Sequence, residues 1–138
     1  MTIVCPNGGE ILLLQYILNF GATNGDKVLH LYGSDVTPSD TTTIGGGAGQ
    51  LAESSEAGYS AITLTGNWTT AQTGGGITSG TYATQEFTFS TNANVYGYYV
   101  TSLAASTDLL WCERFTGAPF ALPTGGGTIQ ITPQIELA

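Results

Sequence analysis

The sequence predicts an all-β fold: an antiparallel β-sandwich or jelly-roll-like barrel with one short N-terminal α-helix. Three observations predict it. The apolar runs are short and mostly alternate with polar residues, the period of a half-buried strand. Gly, Thr, Ser and Pro separate these runs at roughly 8–12 residue intervals, the spacing of turns in a sandwich or small barrel. Charged residues make up only 9% of the 138, against roughly 25% in ordinary soluble domains, so the surface must be built from Thr, Ser and Gly.

The densest stretch is 95–115. Val95-Tyr96-Gly97-Tyr98-Tyr99-Val100 and Leu109-Leu110-Trp111-Cys112-Glu113-Arg114-Phe115 flank a polar connection. Aromatic and β-branched residues suit a pleated surface, so the pair reads as a central hairpin. Strict alternation puts Leu109, Trp111, Glu113 and Phe115 on one face and Leu110, Cys112 and Arg114 on the other. Trp111 is then expected to be a core anchor.

In chain order, Ile3-Val4 begins extended and Pro6-Asn7-Gly8-Gly9 stops it. Glu10 to Phe20 carries apolar residues at three-and-four spacing, with Glu10 in its first turn and Gly21 after its end, which predicts the one helix. Lys27 to Tyr32 alternates, with Val28, His30 and Tyr32 opposite Leu29 and Leu31. Thr37-Pro38 makes 35–40 a turn, and 41–49 is a Gly-rich loop. Short strands follow over 58–64 and 67–70, with Trp68 as a core residue. A strand over 81–90 carries Tyr82, Phe87 and Phe89 and slips near Gln85-Glu86. The last run places Ile129, Ile131, Ile135 and Leu137 on odd positions, and Pro133 interrupts its ladder, which predicts an edge strand. This gives six to eight strands in one domain over 1–138: an N-terminal extension and helix over about 1–20, and the sandwich over about 27–138. No internal repeat is evident.

The charge excludes some functions. Ten acids against Lys27 and Arg114 give a formal charge of −8. Nucleic-acid binding needs cations to neutralise phosphates, so no nucleic-acid partner is expected, and no anionic membrane surface either. The run 11–20 is too short to span a bilayer. The first residues lack the basic start of a secretory signal, so none is expected. Cys5 and Cys112 form neither a disulfide framework nor a metal-ligand spacing. They read as reduced structural thiols, with a Cys5–Cys112 bridge as the alternative.

Catalytic chemistry is hard to find. His30 is the only histidine and has no nucleophile context or second histidine near it in sequence, so it reads as a half-buried strand residue. Glu53 and Glu56 sit in a polar loop and read as solvated carboxylates. Arg114 is expected to hold an ion pair or loop carbonyls, with Asp108 or Glu86 as partner. Lys27, beside Asp26, is expected to be solvated. The glycine tracts at 45–47, 74–76 and 125–127 lack the pattern and lysine of phosphate loops and read as turns. The expectation is therefore no enzyme: no catalytic, cofactor-binding or metal site and no cofactor.

Several segments together carry a resemblance. They are Pro6-Asn7-Gly8-Gly9-Glu10 with its apolar helix, Leu29-His30-Leu31-Tyr32, Asp35-Val36-Thr37-Pro38, Gly58-Tyr59 and Trp68. Tyr96-Gly97-Tyr98-Tyr99-Val100, Leu110 to Phe115 and Ile129-Gln130-Ile131-Thr132-Pro133 complete the set. In this order the chain resembles small virion proteins of tailed bacteriophages, of the head decoration (cement) type. The resemblance covers nearly the whole chain, and its motifs are packing motifs. It implies a capsid protein that binds and stabilises the outer head shell, assembled in the host cytoplasm. The implied partners are the major capsid protein and, as a homotrimer, copies of itself. The alternative is a carbohydrate- or receptor-binding β-module of a phage tail fibre, for which tyrosines and Trp68 near Gly-rich tips would stack on sugars.

Overall fold

The computed structural model describes Leu18 and residues 26–73, 77–103 and 107–137. Among these residues it is all-β, and every pairing between strands is antiparallel. The strands are β1 (Lys27–Tyr32), β2 (Ile62–Leu64), β3 (Thr69–Thr73), β4 (Ile77–Thr81), β5 (Gln85–Phe89) and β6 (Ala93–Val95). They continue with β7 (Gly97–Ser102), β8 (Leu109–Arg114), β9 (Phe120–Leu122), β10 (Gly127–Ile131) and β11 (Gln134–Leu137). The expected helix lies outside the described residues except for Leu18, which is buried in the main core. Cys5 also lies outside them.

The largest sheet has the order β2-β1-β7-β8, and three smaller sheets pair β10 with β5, β11 with β4 and β3, and β6 with β9. The expected strand over 81–90 is two strands, because 82–84 leave the ladder and β4 precedes them. The terminal run also divides. On either side of Pro133, β10 pairs with β5 and β11 with β4, each along one edge. A proline cannot donate to a ladder, so the break falls where the sequence puts it.

The register of β1 on β7 sets the layers. Leu29 pairs with Val100, His30 with Tyr99, Leu31 with Tyr98 and Tyr32 with Gly97. Side chains alternate, so Leu29, Leu31, Tyr98 and Val100 enter one core with Trp68, Phe87, Phe89, Val95 and Ile131. Tyr32 and Tyr99 enter a second cluster on the opposite face, with Leu51 and the partly buried Val36, Ile44, Leu109 and Cys112. The loop between β1 and β2 supplies the cover on that side.

The hairpin β7–β8 departs from strict alternation. Val100 pairs with Trp111 but Thr101 pairs with Leu109, which leaves Leu110 as the extra residue of a bulge. One inserted residue reverses the facing of everything beyond it. Leu109 therefore packs with Tyr99 in the second cluster, while Trp111 and Phe115 pack against the main core. Leu110 is turned out, 45% exposed. Trp111 is half-buried, edge-on to the buried Trp68 at 5.6 Å. It flanks the core, and Trp68 is the anchor.

Lys27 differs from expectation, and Arg114 keeps the expected ion pair and loop carbonyl but with another partner. Lys27 is only 2% exposed, and its Nζ donates to the Leu18 carbonyl at 3.2 Å. Burial lowers its pKa, and the neighbouring Asp26 works in the opposite direction. Its long stem is absorbed by the core, so the adjacent acid is no sign of a solvated lysine. Arg114 pairs with Asp35 at 2.7 Å, not with Asp108 or Glu86. It also donates to the Val36 carbonyl at 3.0 Å and lies over the Tyr96 ring.

Gly97 is required where the sheet is tightest. A β-carbon there would lie 2.6 Å from the Tyr32 ring and would also strike the Glu113 carbonyl. Gly97→Ala is expected to destabilise the fold by about 1–3 kcal/mol through overpacking. Gly125→Ala meets nothing within contact distance and is expected to stay within about 0.5 kcal/mol of the parent. Urea unfolding midpoints decide it: equal midpoints for the two variants would refute the account.

Candidate functional site

The chemistry concentrates on the face of β1 and β7 that carries His30. The imidazole stacks on its cross-strand neighbour Tyr99, with ring centroids 4.6 Å apart and planes 5° apart. Its Nδ1 is 2.9 Å from Glu53 Oε1 and its Nε2 is 3.0 Å from Thr101 Oγ1. An ionised carboxylate has no proton to give, so Nδ1–H donates to Glu53, and in the neutral ring Nε2 accepts from the Thr101 hydroxyl. The same Glu53 oxygen accepts from the Tyr59 hydroxyl at 2.9 Å, and that hydroxyl accepts from the Leu31 N–H at 3.1 Å.

This is an acid–imidazole–hydroxyl chain, the order of groups that activates a nucleophile in hydrolases. Its placement works against that use. Thr101 is fully buried and His30 nearly so, so no substrate carbonyl can approach the hydroxyl within reacting distance. What the chain does is hold the loop between β1 and β2. Glu53 forms a bridge to Tyr32, Ser54 N–H donates to the Leu31 carbonyl, and Gly33 N–H donates to the Ala52 carbonyl. The side-chain bonds of Glu53 fasten the same segment from the other direction.

Among the described residues four tyrosines have their pKa values raised. Burial lifts Tyr32 to about 12, opposed by Arg114. Burial is likewise the largest cause at Tyr59, Tyr98 and Tyr99, all of which are pushed far up. Burial also raises the free thiol of Cys112, so it is a poor nucleophile.

Two open surfaces among the described residues carry apolar side chains, and another, of about 410 Å³, is lined by Glu113, Thr132, Gln134 and Glu136. A cleft of about 450 Å³ lies between the 38–42 turn and β8, lined by Pro38, Asp40, Leu110, Trp111 and Cys112 among others. An apolar groove of about 330 Å³ lies between β9 and β10, lined by Phe115, Phe120, Leu122, Ile129 and Ile131 with Thr128 and Gln130. Phe120 stands 51% exposed at its rim, edge-on to Phe115 at 5.3 Å.

Of the residues weighed from the sequence, the fold brings His30 and Glu53 together and leaves Glu56 apart from them. Glu113 is exposed and turned away from the Asp35 that Arg114 engages. Trp68 is buried, not presented at a tip. Thr101 and Tyr59 join this network without any motif to mark them. The only signal in the sequence is that Thr101 continues the alternation of β7 past Val100. Among the described residues no three His, Cys, Asp or Glu side chains gather as metal donors. Comparison with family models, with curated proteins and with solved structures finds no match.

Two outcomes test the network. Thr101→Val leaves His30 Nε2 without its donor and is expected to cost about 1–3 kcal/mol in urea unfolding, with Thr101→Ser recovering most of it. An unchanged midpoint for the valine variant would show that the bond carries no weight. The tyrosines predict alkaline unfolding. A phenol whose folded pKa exceeds the unfolded value of 10.0 binds more protons when folded. Its stabilising contribution is complete below about pH 10 and is lost as the pH rises toward and beyond 12. Lys27 acts oppositely over the range up to its ordinary pKa, but is one group against four. Ultraviolet phenolate absorbance should therefore rise together with loss of the β circular dichroism signal. Gradual ionisation with the fold intact would contradict it.

Proposed function

We propose that this chain is a structural protein of a bacteriophage particle, most specifically a decoration protein that binds the outer head shell, where it self-associates as a trimer. The observation that carries the reading is the apolar groove between β9 and β10 with Phe120 at its rim. A groove of this size accepts one or two apolar side chains of an extended segment, and the segment assigned to it is one of the major capsid protein. The whole-chain resemblance of packing motifs supports the same reading. The burial of Thr101 and His30 speaks for a network that braces the fold, not one that turns over a substrate. The tail-fibre alternative is less well supported, because Trp68, Tyr98 and Tyr99 are buried and not arranged along an open groove.

Phe120 provides the test. Phe120→Asp adds a charge to an exposed strand position, so the protein is expected to fold with a melting temperature near that of the parent. Binding to purified heads that lack the protein should fall at least tenfold, and cryo-electron microscopy of particles should place the parent on the head shell. Undiminished binding by the variant, or density on the tail, would overturn the reading.

A further inference from the structure

The end of β1 carries a small hollow lined by oxygen. A methyl group placed on Gly33 would stand 3.4 Å from the Asn94 carbonyl oxygen, 3.8 Å from Glu56 Oε1 and 3.8 Å from Ser54 Oγ. Two segments distant in sequence, 54–56 and β6, thus turn three oxygens toward one point. Ser54 is 4% exposed, and its hydroxyl meets no hydrogen-bond partner among the described residues. A buried hydroxyl without a partner is uncommon enough to need an explanation.

The donors nearby are already engaged. Gly33 N–H goes to the Ala52 carbonyl and Ser54 N–H to the Leu31 carbonyl. Glu56 takes the Ser55 N–H on Oε2, at 3.0 Å, and so leaves Oε1 for the hollow. On the β6 side, Tyr96 N–H donates to the Tyr32 carbonyl. The Asn94 carbonyl oxygen, 3.4 Å from the point marked by a methyl group on Gly33, faces the end of β1. A carbonyl and a carboxylate only accept, which leaves the Ser54 proton as the sole hydrogen among three oxygens.

We propose that this hollow binds a calcium ion through the Glu56 carboxylate, the Asn94 carbonyl and the Ser54 hydroxyl, with water completing the shell. Calcium takes oxygen ligands in flexible geometry, whereas magnesium demands a near-ideal octahedron and sheds water reluctantly. A single carboxylate places the affinity at the weak end, with a Kd on the order of 10⁻⁴–10⁻³ M. The ion joins the end of β1, the 52–56 segment and β6, and so braces the loop that carries Glu53. The proposal is independent of the particle-binding reading.

The test uses the full chain and calcium chloride, with magnesium chloride and sodium chloride at matched ionic strength. About 10 mM calcium is expected to raise the melting temperature by about 4–10 °C, and the other two salts are not. Gly33→Ala fills the hollow with a methyl group at ordinary contact distances and should fold; Glu56→Gln removes the charge. Both should lose the calcium-specific rise, whatever their melting temperature without calcium. Calorimetric titration should show one site in the parent and none in Gly33→Ala. Absence of a calcium-specific rise in the parent, as for a hollow that holds water only, would overturn the proposal. So would a rise that persists in both variants.

Discussion

The pairing of β1 with β7 in a single register is the constraint on which the rest depends. It sends Leu29, Leu31, Tyr98 and Val100 into the main core and His30, Tyr32, Tyr99 and Thr101 to the opposite side. A slip of β1 by one residue would turn Leu29 and Leu31 out and His30 and Tyr32 in, burying an imidazole and a hydroxyl where Phe87 and Phe89 now pack. The second face fixes the register as firmly as the first. His30 on Tyr99 and Gly97 under Tyr32 fit only in this register, and the loop between β1 and β2 is fastened to what they display.

That loop shows how a β-domain poor in charged residues fixes a long connection. Apolar cover comes from Val36, Ile44 and Leu51, and direction comes from polar bonds to β1. The Glu53 carboxylate joins two groups at once, the His30 ring and the Tyr59 hydroxyl, beside the backbone bonds of Gly33 to Ala52 and of Ser54 to Leu31. Each bond alone is worth about 1 kcal/mol. Sharing one carboxylate between groups that are already ordered spends less conformational entropy than two independent contacts would.

Much of this is legible in the sequence. The alternation of 27–32, the hairpin over 95–115 and the break at Pro133 rest on period and proline chemistry, which are local. What is not legible depends on residues meeting from far apart. Nothing in Leu109-Leu110-Trp111 marks the bulge that turns Leu109 away from Trp111, because any period-two reading assumes the ladder does not slip. Lys27 beside Asp26 looks solvated until the core closes over its stem. Thr101 looks like the start of a polar connection until β7 is seen to run on to Ser102. The hollow over Gly33 could not be found by spacing, because one of its oxygens belongs to the backbone.

The two cations show where charge goes in such a chain. Lys27 reaches the Leu18 carbonyl and Arg114 reaches the Val36 carbonyl, so each ties a segment outside the sheet ladders to a strand of the main sheet. Arg114 also occupies Asp35. With ten acids and only these two bases, using both internally leaves an outward field that is negative almost everywhere. Juxtaposed like charges cost several kcal/mol across an interface, so a net charge of −8 disfavours an acidic surface against it. The apolar groove at Phe120 fits that condition, since it asks its partner for shape and hydrophobic area and not for charge.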